Sequence, residues 1–257
     1  MQQVLLYFIF KYQYNWNKIL LALKNQEPIN GQELDEAKKL VESNFITILD
    51  PNYPEFLKEV AKPPLVLFYK GQLELLKLKS NIFAIIVDPE IDSYAKKSIF
   101  KIVNKLIKQQ KIIALKFEHG FTLELINYIV SKKGKLILLS SYGLINLSQN
   151  HLKIYQLTET YSNVILISDN QIKQTDSCLT KLFDNSLKIL LTISRATILC
   201  QSNNLQQTQQ ILEISKTNDL KLFAIPERIN SKFKANNFAI QNGAMLAESL
   251  EFILDHT

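Results

Sequence analysis

From about residue 62 onward the chain repeats one pattern, a short and almost purely apolar run followed by a stretch long enough for an amphipathic helix. The runs fall at 65–69, 82–87, 112–117, 136–140, 164–167, 197–200 and 222–225. Near-continuous runs of β-branched residues and leucine, as opposed to alternating ones, mark strands buried on both faces. Helix-length stretches between such strands imply right-handed crossovers that join parallel neighbours. The pattern therefore predicts an α/β domain with a doubly wound, mostly parallel sheet.

Before residue 60 the rhythm is helical. Leu5, Leu6, Ile9 and Phe10 recur at helix spacing, as do Trp16, Ile19, Leu20 and Leu23, and a third helical pattern carries Leu34, Ala37, Lys38 and Val41 beyond Asn30-Gly31. Pro51 and Pro54 forbid further helix. The expected organisation is a small helical domain over 1–60 and the α/β domain over 61–257. The apolar run at 4–10 lacks a basic start and a small-residue cleavage site, and it is far below the ~20 residues needed to cross a bilayer. It reads as a core helix, and no membrane segment is expected elsewhere. With 47% hydrophobic residues the chain can fill a core, so a mostly disordered protein is excluded. Its net charge of +6 tolerates polyanionic partners without demanding one.

Catalytic signatures are absent. His119, His151 and His256 have no ligand-like spacing, and Cys178 and Cys200 can make neither a disulfide framework nor a four-ligand zinc site. Two buried, reduced thiols suit a cytoplasmic protein. With six glycines there is no phosphate-binding glycine loop and no nucleophile elbow. No enzyme, metal or cofactor is expected. Lys97, Lys101, Lys105 and Lys108 line one face of the helix expected over 93–110, opposite Ile99, Ile102, Val103 and Leu106; such a stripe is ordinarily the solvated back of a crossover helix.

Read in order, the segment ends carry a resemblance. Leu49-Asp50-Pro51-Asn52-Tyr53-Pro54-Glu55-Phe56-Leu57, followed by Pro63-Pro64-Leu65-Val66-Leu67-Phe68-Tyr69-Lys70-Gly71, resembles the entry to the DprA/Smf family of DNA-processing proteins. Leu222-Phe223-Ala224-Ile225-Pro226 is similar to that family's VFAVPG, and Asn237 through Gln241-Asn242-Gly243-Ala244 to its N-x-LI-x-x-GA. The likeness covers nearly the whole chain. It implies an extended Rossmann-like sheet and a non-enzymatic protein that binds single-stranded DNA, helps load a RecA-type recombinase during DNA uptake by transformation, and forms a homodimer through the Rossmann-like domain. No winged-helix tail, as some family members carry, is expected after the final helical pattern at 246–254.

The family's anion-gripping elements are degraded here. The first strand should end in Gly-Ser-Arg, and the chain has Val87-Asp88-Pro89. The Ser-Gly-Leu-Ala-x-Gly-Ile-Asp element is replaced by Leu115-Lys116-Phe117-Glu118-His119-Gly120-Phe121-Thr122, which keeps only its later glycine. Gly143-Leu144 remains of Gly-Leu-Asp-x-x-Tyr-Pro, Leu166-Ile167-Ser168-Asp169 nearly matches LISE, and Lys188 stands at the second arginine of Phe-x-x-Arg-Asn-Arg-Ile-Ile. A side chain in a glycine turn places a Cβ where an anion would lie. Losing an arginine removes a planar two-bond fork. Each missing charge-assisted contact costs about 1.5–3 kcal/mol.

The candidate DNA-binding residues implied by this mapping are Lys116, Lys188, Arg195, Lys153, Gly120, Tyr142 and Gly143. Tyr142 ranks above Tyr94 and Phe117 as a stacking residue, Phe117 suiting the core better. Lys132, Lys133 and Lys135 rank below Lys116 and Lys188, because the turn into a strand lies opposite the usual ligand crevice. The alternative function is an interaction scaffold that keeps the fold without binding DNA.

Overall fold

The computed structural model describes residues 2–41, 43–117, 119–141, 143–144, 149–171 and 176–257, with backbone alone at 149–151 and 176–184. Three helices open the chain, α1 (Gln2–Lys11), α2 (Trp16–Lys24) and α3 (Gly31–Lys39). Strand β1 (Asn44–Thr47) and the short α4 (Glu55–Lys58) lead to β2 (Val66–Gly71). The parallel part then alternates as expected: β3 (Ile82–Val87), α5 (Ser93–Lys108), β4 (Ile112–Lys116), α6 (Phe121–Ser131), β5 (Lys135–Leu139), α7 (Gln149–Thr160), β6 (Val164–Ser168), α8 (Asp176–Ile193), β7 (Ala196–Gln201), α9 (Leu205–Thr217) and β8 (Lys221–Ala224). It closes with α10 (Ala235–Gln241), β9 (Met245–Leu246) and α11 (Leu250–Asp255).

Among the described residues nine strands form one sheet in the order β1-β2-β6-β5-β4-β3-β7-β8-β9. From β6 to β9 every pairing is parallel. The first apolar run is the exception, since β2 lies antiparallel between β1 and β6. Only the 3₁₀ turns at 73–77 and 79–81 separate β2 from β3, and because β2 runs antiparallel it ends at the edge where β3 begins, so the short connection needs no return along the length of the sheet.

Each central strand is buried on both sides, as its composition dictates. Phe83, Ile85, Ile113 and Leu115 point to the face covered by α5 and α6. Ile82, Ala84, Ile112 and Ala114 point to the face covered by α8, α9 and α10. The N-terminal helices continue the first of these cores: Leu5, Phe8 and Ile9 bury against Val66 and Phe68 of β2. The segment before residue 60 also contributes β1 to the sheet, which its helical pattern did not reveal. Among the described residues no helix is long and apolar enough to cross a membrane.

Candidate functional site

Strand order reverses between β3 and β7, because β4, β5 and β6 follow on one side and β8 and β9 on the other. Open α/β sheets place ligands at such a switch point, outside the C-terminal ends of the strands. Here the turn 88–92 after β3 faces the turn 202–204 after β7.

Five backbone N–H groups of these turns could cradle an anion, and each already has a partner inside the protein. Asp88 N donates to Gln201 O at 2.9 Å, and Asp92 N to Gln201 Oε1 at 2.9 Å. Asn203 N donates to Asp88 Oδ2 at 2.7 Å, Asn204 N to Ser202 Oγ at 3.0 Å, and Ser202 N to Asn236 Oδ1 at 3.0 Å. Asn236 is fully buried, and its Nδ2 also reaches Leu199 O, Cys200 O and Ile225 O at 3.0, 3.0 and 2.8 Å. Gln201 Nε2 donates to Glu227 Oε1 at 2.8 Å, while Asn237 holds the Glu227 backbone from both sides. A nest of N–H groups binds anions only while those groups point outward. Asp88 fills the place of the anion with the chain's own carboxylate.

Gly120 completes the closure. Its φ is +73°, and a Cβ added there would lie 2.4 Å from Pro89 O. The same carbonyl accepts from Phe121 N at 2.8 Å, so the N-terminus of α6 is capped by the turn after β3. Gly143 plays a similar part farther along the edge. With φ +78° it lets the turn after β5 approach Gln171, whose backbone O and C a Cβ would meet at 2.7 Å. Both glycines bring turns of this chain together.

The cations expected to share a crevice are dispersed. Lys116 is buried, lining a cavity of about 200 Å³ with Asp88, Pro89, Thr122 and Asn204. Lys188 is half-buried on the far side of α8. It donates to Ala61 O and lines a separate cavity of about 110 Å³ with Lys62, Asp169, Asn185 and Trp16. Burial, with Lys62 nearby, holds its ammonium below the ordinary lysine range. Arg195 precedes β7 and so lies at the opposite edge of the sheet, donating to the backbone oxygens of Ser80, at 3.3 Å, and of Thr257. Lys153 is exposed on α7. Tyr142 lies outside the described residues. Phe117 is buried in the core, and Tyr94 is half-buried with Arg228 over its ring at 5.0 Å. Gln201, Ser202, Asn204 and Asn236 were missed as site residues. The one available signal was the run of polar residues, 201–204, that ends an apolar strand.

Asp169, the acid of the LISE-like element, is the most perturbed carboxylate at this edge. Burial pushes it from its ordinary 3.8 up to about 6, against hydrogen bonds from Asn170 and Asn185. The folded state therefore keeps this proton at a pH where the unfolded chain has released it, and stability falls as pH rises through that window. Asp169→Asn is expected to be more stable than the parent by about 2–3 kcal/mol near pH 8 and indistinguishable near pH 4. Urea unfolding at the two pH values checks this, and no gain near pH 8 would refute it.

Among the described residues no group of histidine, cysteine and carboxylate side chains could hold a metal ion. Cys200 is a buried free thiol whose ionisation burial opposes. The side chain of Cys178 lies outside the described residues.

Two of the solved structures similar to this chain in fold are DNA processing proteins. DNA processing protein A from Streptococcus pneumoniae matches with a TM-score of 0.73 at 21% identity, over 99% of this chain and 93% of that one. DNA processing protein A from Helicobacter pylori, solved for its single-stranded DNA binding mode, matches with a TM-score of 0.67 at 18% identity, over 84% of this chain and 96% of that one. A search of the curated proteins gives no match. The family model for DNA recombination-mediator protein A matches residues 44–257, which take in all nine strands of the sheet, and the chain therefore belongs to that family of DNA-processing proteins.

Proposed function

We propose that this protein binds single-stranded DNA and, as a homodimer, assists the loading of a RecA-type recombinase in DNA uptake and recombination, without catalysing a reaction itself. The observation that carries this reading is the match of the DNA recombination-mediator protein A model from β1 to the chain's last described residue. The single-stranded DNA binding of the Helicobacter pylori relative supports it. A second reading, an interaction scaffold that retains the fold without the DNA, is favoured by the closed switch point, where Asp88 takes the anion's place.

Fluorescence anisotropy with labelled oligo-dT separates the two. If about three phosphates are engaged, affinity is expected to fall roughly twentyfold between about 50 and 200 mM salt, because each contact to a single strand releases about 0.7 counterion. Absence of binding by folded protein at the lower salt would remove the DNA role. Capture of the recombinase without DNA would then support the scaffold.

A further inference from the structure

The cavity of about 110 Å³ lies where the N-terminal helices, the segment 57–66 and α8 meet, apart from the switch point. Ile9, Leu57 and Ile189 give it apolar walls, and Trp16 borders it with its indole N–H committed to Pro63 O at 3.1 Å. The polar lining carries both signs of charge. Asn185, Lys188 and Thr192 reach it from one stripe of α8, since positions three, four and seven apart share a helix face. Asp169, just past β6, lies beside Asn185, and Lys62, which is exposed, marks the opening. Asp169 and Lys188 stand where the resembling family elements have glutamate and arginine, larger side chains that would take up more of this space. The cavity is therefore a property of this chain.

These groups do not satisfy one another. Asp169 takes hydrogen bonds from Asn170, at 3.2 Å, and from Asn185, and among the described residues no ion pair joins it to Lys62 or Lys188. Lys188 spends one of its three N–H bonds on Ala61 O, which leaves two for another acceptor. Thr192 is 3% exposed, and its hydroxyl has no partner among the described residues, although a threonine inside a helix commonly bonds the carbonyl four residues back. A half-buried carboxylate and ammonium without counter-charges, beside an unpaired hydroxyl, are costly unless a ligand or ordered water answers them. Size limits the ligand. A cavity of about 150 Å³ takes benzene, so 110 Å³ suits about five or six heavy atoms. Lys188 and Thr192, one helical turn apart, can grip a single carboxylate, and Asp169 can accept from an ammonium.

We infer that this cavity binds a small free amino acid, with its carboxylate held by Lys188 and Thr192 and its ammonium by Asp169. The site is independent of the nucleic-acid reading above. Calorimetric titration of the full chain near pH 8 with glycine, alanine, β-alanine and 4-aminobutyrate tests it. At least one of the four is expected to saturate with a Kd of about 1 mM or lower, an affinity within reach of six heavy atoms. At tenfold its Kd that ligand is expected to raise the melting temperature by about 3–5 °C. Propionate and ethylamine, which carry one charge each, are expected to bind at least about tenfold more weakly. Asp169→Asn and Thr192→Val keep the shapes of the side chains they replace. Each is expected to melt no lower than the parent and to weaken the amino acid by about tenfold or more, whereas a purely structural role for these residues would leave affinity unchanged. No saturation by any of the four up to about 20 mM overturns the inference and leaves the cavity to ordered water. Equal binding of propionate also overturns it, making this an anion site, and so does unchanged affinity in either variant. None of these outcomes bears on oligo-dT binding, which alone decides the DNA reading.

Discussion

Replacing Asn236 with alanine is expected to cost about 3–4 kcal/mol, with a melting temperature roughly 10 °C lower. The side chain is inaccessible to solvent and holds four backbone groups: its amide nitrogen reaches Leu199 O, Cys200 O and Ile225 O, and its oxygen accepts from Ser202 N. Alanine removes all four contacts and admits no water to replace them. Leu199 O keeps the bond from Ile225 N, so its loss is partial; Ser202 N loses the one acceptor assigned to it. A buried group stripped of its partner costs about 1–3 kcal/mol, which sets the total. Asn236→Asp is expected to be worse near neutral pH, since it turns a carboxylate oxygen toward three carbonyl oxygens. Asn237→Ala is the comparison, because that side chain is half-buried and bonds only the Glu227 backbone. Chemical unfolding of the three variants decides the matter. Equal stability of Asn236→Ala and the parent would mean that the turn after β7 does not depend on this brace.

The sheet was legible because burial on both faces leaves a run that polar residues cannot interrupt; all seven apolar runs became strands, with ends within two residues of those expected. Strands β1 and β9 were not legible. Asn44–Thr47 is short and lies at the margin, where β2 provides its strand pairing, and Met245–Leu246 is two residues long. The antiparallel direction of β2 depends on the length of the connection after it, which carries no hydrophobic period.

For the site, a mapping of residues by family element carries positions along the chain but not side-chain directions. Lys188 falls on the helix the mapping assigned, yet it points toward Ala61 and the N-terminal helices. Arg195 is placed by chain order just before β7, which puts it at the entry edge. What the mapping could not convey is that polar side chains of this chain had taken over the exposed N–H groups. That depends on Asp88, Gln201 and Asn236 meeting across three loops, and no local pattern encodes such a meeting.

Gly120→Ala is the second large effect expected, a loss of about 3–5 kcal/mol. The backbone there has φ +73° and ψ −137°, a region that residues with a Cβ occupy only under strain of about 1–3 kcal/mol. The new methyl would also lie 2.4 Å from Pro89 O and 2.9 Å from the Pro89 carbonyl carbon. These are backbone atoms, held by the bond from Phe121 N, and cannot rotate aside as a flexible side chain would. The turn after β4 must therefore part from the turn after β3, giving up the cap on α6. Gly31→Ala is the control: no atom comes within 4 Å of a Cβ built there, and it is expected to be neutral or to stabilise by up to about 1 kcal/mol. The pair distinguishes two reasons for a glycine at the mouth of an anion site. If Gly120 serves contact between the two turns, alanine lowers the melting temperature by roughly 10 °C whether or not DNA is present. If it were there only to admit a phosphate, the alanine variant would melt like the parent and lose oligo-dT binding alone, and the closed switch point would have to be abandoned.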